Sequence, residues 1–174
     1  MKRKIELWNE AGYILENVSK GVLLTTAAEG KVNTMTIAWG TLGIQWKKPI
    51  FIAFVRESRY SKEFLDKNPE FTVNIPYGSY DKSILSICGT RSGRDINKIQ
   101  ELGLTLEEPE TISVPGIRQL PLTLECKALF RQVQNPDLLP SDIIERFYPA
   151  DTANFRDAHI AYYGEILDSY LITE

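Results

Sequence analysis

The chain has very few of the residues from which stapled or metal-held proteins are built. Its 174 residues include two cysteines, Cys88 and Cys126, and one histidine, His159. The cysteines lie far apart and form neither a disulfide framework nor a CxxC redox or zinc motif, so a reduced interior suits them. A metal site is not expected. No stretch approaches the roughly 18 consecutive apolar residues of a membrane span. The opening "MKRKIELWNEAGYILENV" starts basic but then places Glu6, Asn9, Glu10 and Glu16 where an export signal needs an apolar run. Excess positive charge is missing too: the net charge is -3 and the pI about 5.4. That excludes the general basic field that draws nucleic acid or an anionic membrane, so any anion site must be local. Internal repeats, low-complexity tracts and linkers are also absent. The expectation is one soluble, cytoplasmic domain over residues 1–174. A chain of this length buries roughly 70% of the surface it exposes when unfolded.

What is present reads mainly as strand. "GVLLTTA" is a first strand, turned by "AEGK" into "NTMTIAWGT", residues 33 to 41. "KKPIFIAFV" is almost unbroken apolar from Ile50 to Val55, the pattern of a strand covered on both faces. "EFTVNIP" alternates and stops at Pro76, as a half-exposed strand does. "LPLTLECKALFRQVQ" and "HIAYYGEILDSYLI" are longer, rich in branched and aromatic residues, and carry no helical stripe. Short helices are predicted over 62–67, 83–87, 94–102 and 142–147. Trp8 and Tyr13 share helical spacing near the amino terminus, where core packing is their expected use. About six strands with few long helices point to an all-β, closed or partly open antiparallel barrel.

The stretch "NTMTIAWGT" has two unequal faces. Asn33, Met35, Ile37 and Trp39 fall on one side, and Thr34, Thr36, Ala38 and Gly40 on the other. Small residues usually serve close packing under a neighbouring element. They also leave a shallow wall on which a flat ligand can lie.

Two loops carry groups able to bind one. In "VRESRYSKEF", a buried strand ends in Arg56, Ser58, Arg59, Tyr60 and Ser61 just before a helix whose first NH groups lack backbone partners. Two guanidinium groups, two hydroxyls and a helix amino terminus suit a phosphate. The plainer alternative is that Ser58 or Ser61 caps the helix while the arginines are solvated. In "CGTRSGRDINK", Ser92 and Asp95 have the spacing of a capping box, Gly89 and Gly93 permit close backbone approach, and Arg91, Arg94 and Lys98 keep the area positive.

Together, "NTMTIAWGT", "VRESRYS" and "CGTRSGRDINK", followed by "HIAYYGEIL", resemble the flavin reductase-like family of FMN-binding split-barrel proteins. The resemblance implies a six-stranded antiparallel split barrel acting as a homodimer, with FMN near the subunit interface and NADH or NADPH supplying hydride. It implies that Thr34, Met35, Thr36, Ala38 and Trp39 run along the isoalloxazine, with Thr36 meeting its polar edge. Arg56, Ser58, Arg59, Tyr60 and Ser61 would hold the phosphate, and Cys88, Gly89, Ser92, Gly93 and Lys98 would close the site. Ser61 stands where many relatives carry threonine, and Asn97 where aspartate is frequent. Met35, Ile37 and Trp39 are then expected to anchor the reverse face in the core.

In such a flavoprotein the cofactor carries the hard chemistry, so no catalytic acid, base or nucleophile is expected. Cys88 reads as a small neutral group beside the ring, and His159 as structural. The acceptor would be a small molecule, free flavin or a partner oxygenase, and an FMN-binding electron carrier without nicotinamide-dependent turnover remains open. The long stretch 135–155 has the length of a lid over a groove.

Overall fold

The branched and aromatic segments form strands of one antiparallel sheet in the structure, a computed structural model that describes residues 1–173. Numbered in chain order, β1 is Lys2–Lys4, β2 Val22–Ala28, β3 Lys31–Ile37, β4 Gly40–Gln45, β5 Lys48–Arg56 and β6 Glu70–Ile75. β7 is Leu106–Glu107, β8 Gly116–Ile117, β9 Leu122–Val133 and β10 His159–Ile172. Seven of them run edge to edge in the order β3-β2-β6-β9-β10-β5-β4; β1 adds to β10, and β7 with β8 makes a separate ribbon. The strand count therefore exceeds the six expected, but the class is as expected: a split barrel with short helices.

The free ends of the path, β3 and β4, are joined by Ala38 and Trp39 alone. Two residues reach only about 10 Å, so the sheet must curl until its ends meet. This corrects the reading of 33–41 as one strand: it stops at Ile37, and Gly40 belongs to β4. A Cβ at Gly40 would stand 2.7 Å from Phe51 Cζ, so β4 lies against β5 only because that position is bare. Trp39, expected to anchor in the core, sits in the corner and is 40% exposed.

Inside the curl, Phe51, Ala53 and Val55 of β5 alternate inward and meet Phe71, Val73 and Ile75 of β6 and Leu122, Leu124 and Cys126 of β9. Helix α1 (Leu7–Lys20) adds Leu7, Ile14 and Val18 to this core. On that helix Tyr13 donates to the Pro76 carbonyl at 2.9 Å, whereas Trp8 is half exposed rather than packed in the core. A smaller core under α3 (Ser83–Thr90) joins Leu23, Leu85, Cys88 and Leu120.

Helices α2 (Tyr60–Lys67) and α5 (Ser141–Phe147) lie close to the predicted ranges, while the helix expected over 94–102 is only α4 (Lys98–Glu101). Its cap is Asn97, whose side chain accepts from the Gln100 NH at 3.2 Å. Ser92 instead closes a tight turn, accepting from the Arg94 NH at 3.1 Å, and forms no capping box with Asp95. Among the described residues no helix is long and apolar enough to cross a membrane.

Candidate functional site

Two adjoining hollows open where β3, β5 and the two loops meet. The first is lined by Met35 to Trp39, Phe54, Arg56, Arg59 and His159; the second by Asn33, Met35, Ser58 to Ser61, Cys88, Gly89 and the turn through Arg91 to Arg94, with Lys98 at its back. They share Met35 and Arg59, so they form one continuous slot.

The small residues of β3 take the packing role at one position and serve both roles at another. Thr34 is fully buried, its hydroxyl accepting from Thr25 at 3.0 Å, so it offers no side chain to the slot. Thr36 lines the slot but donates to the Leu85 carbonyl at 2.6 Å, which ties β3 to α3. Gly89 lies over Thr36, where a Cβ would come within 3.3 Å of the threonine Cβ. The slot floor is thus Met35, Ile37 and the exposed Ala38, rather than a stripe of small residues.

At the other end the expected cations divide their work. Arg56 is committed elsewhere: its guanidinium donates to the carbonyls of Asp157 at 2.7 Å and Phe147 at 2.9 Å and lies over the Tyr148 ring. It fastens the excursion between β9 and β10 instead of standing free for a phosphate. Ser58 is likewise committed, its NH and hydroxyl donating to the Asp157 carboxylate at 3.0 and 2.6 Å. Arg94 pairs with Glu63 at 2.5 Å and lies over the Tyr60 ring. Arg59 remains: it is exposed, lines both hollows, and its side chain has no hydrogen-bond or ion-pair partner among the described residues.

Arg59 is also the N-cap of α2, and among the described residues no side chain caps that helix. The expected Ser58 or Ser61 cap is not formed, and the first NH groups of α2 stay without side-chain partners, a favourable place for an anion. Ser61 is almost wholly buried and accepts from Asn33 Nδ2 at 2.8 Å, which leaves its own proton for another acceptor. Gly93 packs on that same asparagine: a Cβ there would meet Asn33 Oδ1 at 2.0 Å and the Tyr60 ring at 3.0 Å.

Lys98, expected to close the site, is 5% exposed and donates to the carbonyls of Thr34 at 2.9 Å and Cys88 at 3.0 Å. Two of its three N–H donors are therefore internal, and the third is available toward the slot. Burial lowers its pKa below the ordinary lysine value, against an opposing effect of Cys88 and with a smaller lowering from the charge of Arg59. Burial pushes the Cys88 thiol up to about 11, so it is a neutral group and not a nucleophile at physiological pH.

Sequence reading missed several wall residues. Asn33 and Phe54 face the slot, and Tyr148 reaches it through His159, whose Nδ1 lies 2.7 Å from the tyrosine oxygen. The imidazole also lies against Trp39, with ring centroids 4.9 Å apart. Burial, reinforced by Arg56, lowers its pKa to about 4, so His159 is a neutral slot wall at pH 7.

Known proteins share the family and the fold of this chain. The family model for the flavin reductase like domain matches residues 15–172. An uncharacterised protein of Archaeoglobus fulgidus is 30% identical over 107 residues, which is 62% of this chain and 59% of that protein, so the match spans less than two thirds of the relative. Among solved structures, the FMN-binding domain of a flavin reductases-like enzyme from Shewanella baltica superposes with a TM-score of 0.66 at 19% identity, covering 98% of this chain and 77% of the other. Flavoredoxin of Desulfovibrio vulgaris superposes with a TM-score of 0.65 at 20% identity, covering 87% and 69%. At such identities the two superpositions establish the fold.

Proposed function

This chain belongs to the flavin reductase like domain family, and from that premise we propose that it is an FMN-binding oxidoreductase using NADH or NADPH as hydride donor. One observation supports the flavin above all: the unpaired Arg59 stands where the two hollows join, beside the uncapped start of α2, and the hollow beyond it is flanked by Trp39, Phe54 and the neutral His159. FMN has the same division, a phosphate at one end and a flat ring at the other. The bare Gly93 is the cradle at the anionic end, since any side chain there would collide with Asn33.

In this reading Arg59, Tyr60, Ser61, the α2 NH groups and the third donor of Lys98 hold the phosphate. Cys88, Gly89, Ser92 and Gly93 close that end by shape. Met35, Thr36, Ala38 and Trp39 lie along the ring, with Phe54 and the neutral His159 excluding water beside it. Thr34, Arg56 and Ser58 act at one remove, Thr34 by anchoring β3 and the other two by holding the excursion. When bound, FMN supplies the hydride-accepting nitrogen and stores the electrons, so the chain needs only to bind, orient and shield.

A homodimer is part of the same reading. Ile52, Tyr163 and Phe130 stand directly opposite one another across β5, β10 and β9, and Trp46 lies against both Phe130 and Tyr163. Such a row of rings on the outer face of a barrel is the surface a second copy would cover.

A second reading, an FMN electron carrier with negligible turnover of its own, is favoured by the likeness to a flavoredoxin. Anaerobic addition of NADH and of NADPH to the FMN-loaded protein separates the two. Bleaching of the flavin's visible absorbance within the mixing time supports the reductase; an unchanged spectrum with both donors rejects it in favour of the carrier.

A further inference from the structure

The excursion between β9 and β10 walls a space of its own. Between it, the end of α1 and the β3–β4 corner lies a separate cavity of about 480 Å³. Leu139, Ile143 and Phe147 form its outer wall, while Ala38, Trp39 and Phe54 are shared with the slot. Whatever enters therefore lies one side chain away from the ring end of the slot.

The chemistry of this cavity is narrow. None of its lining residues is Asp, Glu, Lys or Arg, and polar side chains are limited to Ser19, Gln134 and Tyr148. The nearby arginines point into backbone rather than into the space: Arg56 donates to the Phe147 carbonyl at 2.9 Å and Arg156 to the Tyr148 carbonyl at 2.6 Å. Those bonds fix the wall in place. The Tyr148 hydroxyl, 2.7 Å from His159 Nδ1 and 3.2 Å from Gln134 Oε1, sits on the boundary between cavity and slot.

We propose that this cavity is a second-ligand site for an uncharged molecule of one or two rings, oriented by the NH2 of the Gln134 amide, whose oxygen is held by the Tyr148 hydroxyl. It rests on the flavin reading only for what occupies the neighbouring slot. Apolar walls with two or three placed polar groups are the usual make-up of small-molecule sites, and the volume falls at the small end of their range of about 300–1,000 Å³. An anion would find no cation among the lining residues to offset its desolvation, so a carboxylate or a dinucleotide's phosphates are disfavoured in this space. The excursion thereby selects a neutral second ligand.

The test is a calorimetric titration of the full chain with benzaldehyde and with benzoate, a pair of the same shape differing in charge, alongside a separate FMN titration. Benzaldehyde is expected to bind and benzoate to bind at least tenfold more weakly. Ile143→Trp, which fills the cavity away from the slot, is expected to weaken benzaldehyde at least tenfold and leave FMN affinity unchanged. Equal affinity for the two probes, or no binding of benzaldehyde, overturns the proposal, and the wild-type pair decides this even if the variant misfolds. Benzaldehyde affinity unchanged in a folded Ile143→Trp also overturns it. Failure of FMN to bind while the probe pair discriminates removes the flavin reading and leaves the neutral cavity standing.

Discussion

The side chain of Asn33 lies so close to Gly93 that a Cβ at position 93 would stand 2.0 Å from its oxygen. The asparagine cannot simply turn away, because its amide donates to Ser61 at 2.8 Å in a buried setting. Gly93→Ala therefore forces the turn, the asparagine or the Tyr60 ring to move. Overpacking of this kind costs about 1–3 kcal/mol. Thermal melts are expected to show a loss of that size, with FMN affinity falling as well. Gly89→Ala, whose Cβ would meet Thr36 at 3.3 Å, is the milder neighbour and should do less.

Arg56→Ala should behave as a stability variant. It removes two charge-assisted bonds to the Asp157 and Phe147 carbonyls, a loss on the order of 1.5–3 kcal/mol per charged hydrogen bond at most, since the group is half-buried. The expected outcome is a lowered melting temperature and faster proteolysis within residues 135–157. A variant that melts normally and is cut no faster would show that Arg56 does not fasten the excursion.

His159 makes stability depend on acid. Its pKa is about 4 in the folded chain against an ordinary 6.5, so the unfolded chain binds the proton first. The neutral imidazole's contribution is fully present above about pH 6.5 and is lost as pH falls from there toward 4, with a slope near 1.4 kcal/mol per pH unit. In denaturant titrations the stability difference between wild type and His159→Gln should be constant above about pH 6.5 and shift against the wild type as pH falls toward 4, with the variant showing the flatter profile. Parallel profiles would contradict the depressed pKa.

Cys88 and Cys126 should be silent toward thiol reagents. Both are buried, and burial raises both pKa values, Cys88 to about 11. Near pH 8 the folded protein should leave a chromogenic disulfide reagent uncoloured, and guanidinium should release two thiols. Prompt reaction of Cys88 in the folded state would contradict its reading as a buried neutral group.

Much of the barrel was legible because its signals are local. "HIAYYGEILDSYLI" became β10 end for end, and the apolar run Ile50 to Val55 lies within β5, because branched and aromatic density acts within a few residues. Which faces are covered was not legible: β5, expected buried on both, alternates, while β6, expected half-exposed, is buried on both. The break after Ile37 was not legible: neither Ala38 nor Trp39 is a turn former, and the corner is set by closure of the sheet. The site residues divided in the same way. Arg59, Gly93 and the start of α2 lie in the loops where sequence placed them, whereas the partners of Arg56, at Phe147 and Asp157, come from remote chain. The internal bonds of Lys98 to Thr34 and Cys88 depend on packing in the same way, and no spacing rule announces them.

The most direct measurement is a fluorescence titration of FMN into the wild-type chain and into Arg59→Ala. Saturable one-to-one quenching in the wild type, weakened in the variant by about 1.5–3 kcal/mol, or roughly tenfold to 150-fold in Kd, is the predicted result. An absence of binding in the wild type, or equal affinity in the two proteins, would contradict a slot whose phosphate-binding cation is Arg59.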